Sequence, residues 1–452
     1  MLVIFLLIIF LNEVYSVPNQ PSIVKTDGYR LLVQKRFENG TLSTQTPFII
    51  KGVAWSPAGV GTGGGQFATY YQTDIPLMSQ MNANTIRTWG TFPVNSTGLA
   101  ILDKCYSNNI FVIMTVDVEN YTTAVNYFKN HPAILMWLLG NEWNYNLFYG
   151  RYSTINQCIT AINNASAGIK ALDPNHPVAT CYGDLPSSTI LGQCTGPDVW
   201  GLNCYRGLSF GSLFTDWKLR SSKPMFFTEH GADSYNNNIG AEDQNSQAYA
   251  LSSQWNQIMN NLSAINLNNV CLGACMMEFN DEWWKAGNYS THDTGGFGNG
   301  GVYPDGFANE EWWGIVDIYR NPKAAYNTIK SIYSQLIVNF ETGNSGNQNQ
   351  NTITTNESIQ LFVSPKVLNL HSDYLNVKIY LPQENEITLK ICDINGNIID
   401  NIIENKNLPA GEHSFLWELK DFNNKIIKKG IYYCILEPYL GENLIKLFSI
   451  DE

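Results

Sequence analysis

Basic residues are scarce in this sequence of 452 residues. Lys and Arg number 27 against 39 Asp and Glu, which gives a formal net charge of -12. A protein that binds nucleic acid needs a basic surface to contact the phosphates. The charge balance therefore argues against a nucleic-acid partner and favours a neutral ligand.

The sequence also lacks the usual motifs of metal, redox and nucleotide sites. None of the nine cysteines forms a C-x-x-C pair, which argues against a zinc or redox centre. Residues 59–65 are rich in glycine, but no Gly-Lys-Ser/Thr follows them, so they do not form a phosphate-binding P-loop. We expect neither a metal nor an organic cofactor.

The N-terminus is the longest apolar stretch. Residues 1–10 are almost wholly apolar, and Val14-Tyr-Ser16 has the spacing of a signal-peptidase site, so residues 1–16 are predicted to be a secretory signal. An uncleaved anchor is the alternative, although a run of about a dozen apolar residues is short for a membrane span. We expect a secreted protein with no membrane span in the mature chain.

The cysteine count is compatible with an oxidising compartment. Cys181 with Cys194, and Cys392 with Cys434, are candidate disulfides, but spacing alone does not establish connectivity. Because nine is an odd number, at least one cysteine stays unpaired.

Apolar runs and helical segments alternate between residue 48 and about residue 335. The candidate strands are residues 48–55, 84–89, 110–117, 134–139, 177–181, 199–205, 225–228 and 271–279. Eight strands with intervening helices predict an α/β fold, a (β/α)8 TIM barrel. Residues 29–46 alternate around Glu38-Asn-Gly40 and predict a β-hairpin that covers the barrel floor.

The composition changes after the barrel. Residues 341–357 are polar and nearly uncharged, which is typical of a linker. Residues 358–452 contain short alternating strands separated by turn signals such as Ala410-Gly411, and predict an all-β sandwich. The predicted organisation is a signal at 1–16, a barrel domain at 17–340, the linker and the sandwich.

Two glutamates follow apolar strands in matching contexts. Glu142 lies in Leu139-Gly-Asn-Glu142-Trp, after the fourth strand, and Glu229 lies in Phe227-Thr-Glu229-His-Gly, after the seventh. A barrel has its active site at the carboxyl ends of its strands. The sequence therefore predicts two carboxylates in one cleft, the minimum needed to cleave a glycosidic bond.

In its strand-end motifs the barrel resembles the retaining glycoside hydrolases of clan A, over about residues 25–335. That resemblance implies that Glu142 is the acid/base and Glu229 the nucleophile, with no cofactor. It also assigns substrate-binding or supporting roles to the residues at the corresponding strand ends, Arg87, Asn141, Tyr205, and Trp283 or Trp284. The sequence around Glu229 is also similar to β-1,3-glucanosyltransferases.

Each supporting residue also has a structural interpretation. Arg87 can pair with a structural carboxylate, and Tyr205 can be a core tyrosine with a satisfied hydroxyl. The indole rings of Trp55, Trp283 and Trp284 lie near strand ends and are predicted to bind substrate by stacking on pyranose faces, while the alternative is that such rings belong to the core. The acidic residues around Asp281 are expected to be hydrogen-bonded or solvated rim groups.

The C-terminal segment resembles the Ig-like domain of the flagellar hook-capping protein, over roughly residues 370–440. The motifs that carry the resemblance are Ile391-Cys-Asp-Ile-Asn-Gly396, Ala410-Gly-Glu-His413 with Trp417, and Lys429-Gly-Ile-Tyr-Tyr433. The resemblance implies a spacer or a module that attaches the protein to a cell surface or wall.

Taken together, the sequence predicts a secreted retaining β-glycosidase that hydrolyses a neutral β-glucan or β-mannan. A β-glucan transglycosylase is one alternative, since both reactions share a glycosyl-enzyme intermediate. A non-catalytic carbohydrate-binding protein or adhesin on an inactive barrel is the other.

Overall fold

The computed structural model describes residues 17–298 and 300–341, and, in the C-terminal part, 359–364, 367–369, 374–381, 384–393, 396–422, 425–439 and 444–451. The predicted signal at 1–16 and nearly all of the predicted linker lie outside the described residues. The chain divides into two compact units, Met1–Ile353 and Thr354–Glu452.

A small antiparallel sheet precedes the barrel. Its strands are β1 (Ile23–Asp27), β2 (Arg30–Gln34) and β3 (Thr46–Pro47). The chain turns at Gly28, whose φ of 58° favours glycine, so a first hairpin lies before the predicted one. The predicted turn is also present, because the Phe37 amide donates to the Thr41 carbonyl.

The sheet packs on the barrel through its apolar side chains. Leu31 and Val33 of β2 are fully buried and belong to one cluster with Phe111, Ile113 and other residues of the barrel strands. The alternation of buried and partly exposed residues along β2 follows from the two-residue period of a strand.

The eight predicted strands form a closed barrel of parallel strands, which confirms the fold class. They are β4 (Ile50–Ala54), β5 (Thr85–Arg87), β6 (Phe111–Val116), β7 (Ile134–Leu139), β8 (Val178–Gly183), β9 (Val199–Asn203), β10 (Met225–Glu229) and β13 (Cys271–Met276). Every residue of β6 and β7 is buried, because the barrel interior covers one face and helices cover the other. This explains why the strands are continuous apolar runs in the sequence.

The helices lie between the strands. They are α1 (Phe67–Gln80), α2 (Ser96–Ser107), α3 (Tyr121–Phe128), α4 (Trp143–Gly150), α5 (Ile155–Leu172), α6 (Ser188–Gln193), α7 (Leu213–Arg220), α8 (Gln244–Asn260) and α9 (Ala324–Ser334). The side chain of Thr154 caps α5 by accepting from the Gln157 amide, and Asp243 caps α8 in the same way. No helix among the described residues is both long enough and apolar enough to cross a bilayer.

Two short strand pairs lie in the loops after β10 and β13. They are β11 (Tyr235–Asn236) with β12 (Ala241–Glu242), and β14 (Gly296–Gly298) with β15 (Phe307–Asn309). The second pair belongs to the long segment between β13 and α9.

The predicted disulfides are wrong, since all nine cysteines are free and buried. Cys434 lies opposite Ile391 and Cys392 lies opposite Tyr433 in the antiparallel β-sheet register. Adjacent residues of a strand project to opposite faces, so these two thiols point away from each other. Cys181 instead has polar partners inside the barrel, including Thr228, whose Oγ1 is 3.1 Å from its sulfur.

The C-terminal unit contains two sheets around one apolar core. Strands β16 (Gln360–Ser364), β18 (Leu375–Leu381) and β21 (Gly411–Trp417) form the first sheet. The second has the order β17 (Val367–Asn369), β23 (Leu444–Asp451), β22 (Gly430–Pro438), β19 (Asn385–Asp393) and β20 (Ile398–Leu408). This unit is β-rich, as the sequence predicted; its Ig-like classification stays a prediction.

Candidate active site

The candidate site lies at the carboxyl end of the barrel. Arg87, Asn203 and Glu229 are the last residues of β5, β9 and β10, and Asn141 and Glu142 follow β7 after one intervening residue. Because all barrel strands are parallel, their carboxyl ends meet at one mouth. The structure therefore brings together side chains that are far apart in the sequence.

Glu229 is the best-satisfied carboxylate of the site. Its Oε1 accepts hydrogen bonds from Arg87 Nη1 and Trp89 Nε1, both at 2.8 Å. Its Oε2 accepts from the Tyr205 hydroxyl, also at 2.8 Å. The residue is only 5% exposed, and these three donors offset the cost of burying its carboxyl group.

Arg87 links Glu229 to Asn141. Its guanidinium is fully buried, and Nη2 donates to Asn141 Oδ1 at 2.5 Å while Nη1 pairs with Glu229. The guanidinium also stacks over the Trp89 ring, 4.3 Å from its centroid. The carboxylate that Arg87 pairs with is thus the strand-end Glu229, as its position in the sequence implied.

Glu142 lies in a different environment. Among the residues that the structure describes, Asn203 alone donates a hydrogen bond to its carboxylate, from Nδ2 at 3.1 Å. Burial, and then the negative charge of Glu229, raise the pKa of Glu142 to about 7, with a smaller contribution from Glu310. Two neighbouring carboxyl groups in such different environments suit the separate roles of acid and nucleophile.

Tyr205 acts as a hydrogen-bond donor toward Glu229. Burial and the charge of Glu229 raise the pKa of Tyr205 well above its usual value, so the hydroxyl keeps its proton. Tyr205 therefore lies in the site and is not an isolated core tyrosine.

Asn203 is a site residue that the sequence reasoning missed. Its amide donates to both Glu142 and Asn141, and its carbonyl oxygen accepts from Thr228 Oγ1 at 2.7 Å. A polar residue ending the buried run Val199–Asn203 was the available signal.

The tryptophans do not all have the predicted role. Trp55 is fully buried, and its indole N–H donates to Asp74 at 3.0 Å, so its assignment as a substrate-binding residue is wrong. Its neighbours are the rings of Phe67 and Phe92, because the side chain points into the core between strand and helix. Trp89, by contrast, binds Glu229 directly.

Trp283 and Trp284 are partly exposed. One face of Trp283 is covered by His292, with ring centroids 5.1 Å apart and planes 21° from parallel. His292 in turn stacks on Trp312. The indole N–H groups of both Trp283 and Trp284 lack a hydrogen-bond partner among the described residues, so this feature does not distinguish the two predicted sugar-binding tryptophans.

The acidic residues after β13 are buried and are not solvated rim groups. Glu278 and Glu282 are each 1% exposed, and Lys285 Nζ lies 2.9 Å from both carboxylates. Asp281 pairs with Lys323 at 2.8 Å. A buried lysine shared by two carboxylates offsets the cost of burying their charge.

No group of three or more His, Cys, Asp or Glu among the described residues is arranged to hold a metal ion. The carboxylates of the site are engaged instead by arginine, lysine, amide, indole and hydroxyl donors.

Comparison with known proteins agrees with this geometry. Residues 113–259 match the model of the TIM-barrel domain of glycosyl hydrolases family 2, and this segment contains Glu142, Asn203 and Glu229. This part of the barrel is therefore similar to the TIM-barrel domain of that family.

Named relatives cover only part of the chain. β-Glucuronidase of Rattus norvegicus is 26% identical over 190 residues, which is 35% of this chain and 27% of that protein. β-Glucuronidase of Pongo abelii is 25% identical over 191 residues, with the same coverage. The matched region thus spans about a quarter of the length of these curated relatives.

Among solved structures, a β-galacturonidase from Eisenbergiella tayi bound to galacturonate has a TM-score of 0.48 at 22% identity. The match covers 71% of this chain and 55% of that one. The Bacteroides uniformis β-glucuronidase has a TM-score of 0.48 at 15% identity, covering 93% of this chain and 51% of that one.

Proposed function

We propose that this protein is a secreted retaining β-glycosidase that hydrolyses a neutral β-glycan, a β-glucan or β-mannan. The observation that carries the proposal is the contrast between the two strand-end carboxyls. Glu229 receives three donors from Arg87, Trp89 and Tyr205, whereas Glu142 has a pKa of about 7. A double displacement needs one ionised nucleophile and one protonated acid in the same cleft.

In the first step a carboxylate oxygen of Glu229 attacks the anomeric carbon and forms a glycosyl ester. The bond to the glycosidic oxygen breaks, and the proton of Glu142 passes to that oxygen, so a neutral alcohol leaves. Esterification removes the negative charge of Glu229, which is one cause of the raised pKa of Glu142. The acid therefore becomes a stronger acid as its proton departs.

In the second step a water molecule attacks the same carbon, and the carboxylate of Glu142 takes its proton. The ester bond breaks, and Glu229 regains its negative charge, which Arg87 and the other two donors stabilise. Asn141, held by Arg87 Nη2 and Asn203 Nδ2, is positioned to contact a hydroxyl of the bound sugar. A sugar hydroxyl in place of water would give transglycosylation.

The relatives named above suggest a second candidate, a β-glucuronide substrate. Recognition of a uronic acid requires a cation for the sugar carboxylate. Arg87 already binds Glu229 and Asn141, and Lys285 is shared by Glu278 and Glu282. The pairing of these two cleft cations supports the neutral substrate.

The test is product analysis by mass spectrometry and NMR on β-1,3-glucan, β-1,4-glucan and β-mannan oligosaccharides, with 4-nitrophenyl β-D-glucuronide as the competing substrate. Wild type is compared with Glu229→Ala, Glu142→Ala and the control Glu38→Ala, whose residue is exposed on the loop before the barrel. We expect cleavage with the β-anomer formed first, and loss of cleavage in the two site variants alone.

A leaving group that needs no protonation separates the two roles. The 2,4-dinitrophenyl glycoside should still release its phenol in Glu142→Ala, because only the acid is missing, and should stay intact in Glu229→Ala. Longer products would indicate a transglycosylase. Binding that is equal in all variants, with no product from any substrate, would favour the non-catalytic alternative.

Secretion and surface attachment are separate proposals. The apolar residues 1–10 support secretion, and N-terminal sequencing of the mature protein should begin at residue 17. The position of the β-rich unit after a polar segment supports attachment. A barrel without that unit that still bound cell walls as well as the full chain would contradict it.

A further inference from the structure

A cavity of about 330 Å³ lies at the floor of the barrel, where the parallel strands begin. Its walls come from the starts of β4 and β6, the turns that lead into β5 and β6, the end of the small sheet and the chain after α9. They are formed by Lys35, Phe48, Lys51, Ser79, Asn82, Ala83, Asn84, Asn108, Asn109, Phe111, Val338 and Phe340. Because the candidate active site lies at the opposite end of the strands, this cavity is a separate feature of the molecule.

The cavity is basic in a protein that is acidic overall. The chain has 39 Asp and Glu against 27 Lys and Arg, yet the cavity is lined by Lys35 and Lys51 and by no carboxylate. Neither ammonium group forms a salt bridge with a carboxylate in the part of the chain that the structure describes. Two positive charges therefore share one cavity without an anion beside them.

Lys51 is the more deeply buried of the two lysines. It is 8% exposed, and its Nζ donates to the Tyr333 carbonyl at 3.1 Å, near the C-terminal end of α9. A lysine in this position stabilises the last carbonyls of a helix, which is a structural role for Lys51. The carbonyl takes one of the three N–H groups of the ammonium. The other two have no acceptor among the described residues and are available to a ligand.

Lys35 is held by an amide and two aromatic rings. Its Nζ donates to Asn109 Oδ1 and lies 5.7 Å from the ring centroid of Tyr106 and 5.9 Å from that of Phe340. These contacts position the ammonium group but leave its charge uncompensated. Glu38 is exposed and its charge acts on Lys35, but the two side chains form no salt bridge.

The burial of these lysines is costly without an anion. Burial lowers the pKa of Lys51 to about 8, and it also lowers the pKa of Lys35, although the charge of Glu38 acts in the opposite direction. A buried charge needs a partner of opposite charge to offset the loss of its hydration. A bound anion would supply that partner to both ammonium groups.

We propose that this cavity binds the phosphoryl dianion of a small organic phosphate ester. Two ammonium groups match the two negative charges of a phosphate monoester, and lysine binds phosphate as a compact point charge with several donors. Phe48, Phe111 and Phe340 provide an apolar wall for the organic group. The volume is at the lower end of the range found for small-molecule sites. The proposal does not depend on the glycosidase function.

The test measures the Kd of inorganic phosphate and of phenyl phosphate by isothermal titration calorimetry, together with the Tm of the protein in the presence and absence of each. The full chain is used at pH 7, with the ionic strength held constant by sodium chloride, because salt screens the attraction. The variants are Lys51→Met and Lys35→Gln. Lys25→Gln is the matched control, since Lys25 is an exposed lysine of β1 that does not line the cavity.

We expect both phosphates to bind the wild type and to raise its Tm, with phenyl phosphate binding more tightly because its ring contacts the phenylalanines. Lys35→Gln and Lys51→Met should each raise Kd by about tenfold or more, because one of the two positive charges is lost. Lys25→Gln should leave Kd unchanged. Lys51→Met also removes the contact with α9 and lowers Tm without ligand, so Lys35→Gln, which keeps that contact, is the decisive variant.

Three results would overturn the inference. One is the absence of binding of either phosphate to the folded wild type. Another is an unchanged Kd in Lys35→Gln, which would leave the lysines with structural roles alone. The third is an equal rise in Kd in Lys25→Gln, which would show attraction by overall charge and no defined site. Tighter binding of inorganic phosphate than of phenyl phosphate would overturn the assignment of an organic ester.

Discussion

Replacing Asn203 by alanine should move the alkaline limb of the pH profile upward. Asn203 Nδ2 donates to Glu142 at 3.1 Å, and this contact favours the ionised form of Glu142. Without it the ionised form is less stable relative to the protonated form, so the pKa of Glu142 rises. This rise in the pKa of Glu142 is opposite to the fall that a positive charge placed beside Glu142 would cause.

The size of the shift follows from the geometry. A hydrogen bond to a charged group contributes about 1.5–3 kcal/mol, and this one is long and lies in a partly exposed cleft, so we use the lower end. Since about 1.4 kcal/mol corresponds to one pKa unit, the shift is about one unit. The pKa of Glu142 starts at about 7, so the limb should move from near pH 7 to near pH 8.

The assay is kcat/KM for a neutral glycoside measured from pH 4 to pH 10, since this parameter reports the pKa values of the free enzyme. Thr228→Val is the matched control, because Thr228 Oγ1 donates to Asn203 but no hydrogen bond joins it to Glu142. The control should lower activity without moving the limb. A limb that stays in place in Asn203→Ala, or that moves equally in both variants, would refute the assignment of Glu142 as the acid.

Three further predictions concern stability. The pKa of Glu142 is raised in the folded state, so the folded protein loses stability as the pH rises from about 4.5, the usual pKa, to about 7. Glu142→Gln should therefore raise Tm at pH 8 but not at pH 4. Equal shifts of Tm at both pH values would contradict this. Trp55→Phe removes the hydrogen bond to Asp74 and should cost about 1–3 kcal/mol of unfolding free energy in urea, with KM unchanged. A large rise in KM would support a substrate-binding role for Trp55. Lys285→Met leaves Glu278 and Glu282 buried without their cation and should cost about 3–5 kcal/mol of unfolding free energy at pH 7, measured in urea; no measurable loss would contradict this.

The barrel could be read from the sequence because its strands are buried on both faces. Each strand is a short apolar run, and the eight runs alternate with helical segments, which leaves few other folds open. The two strand-end glutamates and Arg87 could also be found, since a polar residue closing an apolar run is a local signal. The prediction for Trp55 failed because a large ring near a strand end gives no sign of whether it faces the cleft or the helix layer. The prediction of disulfide pairing was wrong for a similar reason, since the direction in which a cysteine side chain points depends on the register of its strand.

The sequence by itself determined the barrel, its order of strands and the strand ends at which carboxylates occur. Only the tertiary structure identified two further donors, Trp89 for Glu229 and Asn203 for Glu142. The physical reason is that apolar burial is encoded locally by the period of the side chains, whereas the pKa of a carboxyl depends on groups within a few ångströms that come from strands and loops throughout the barrel.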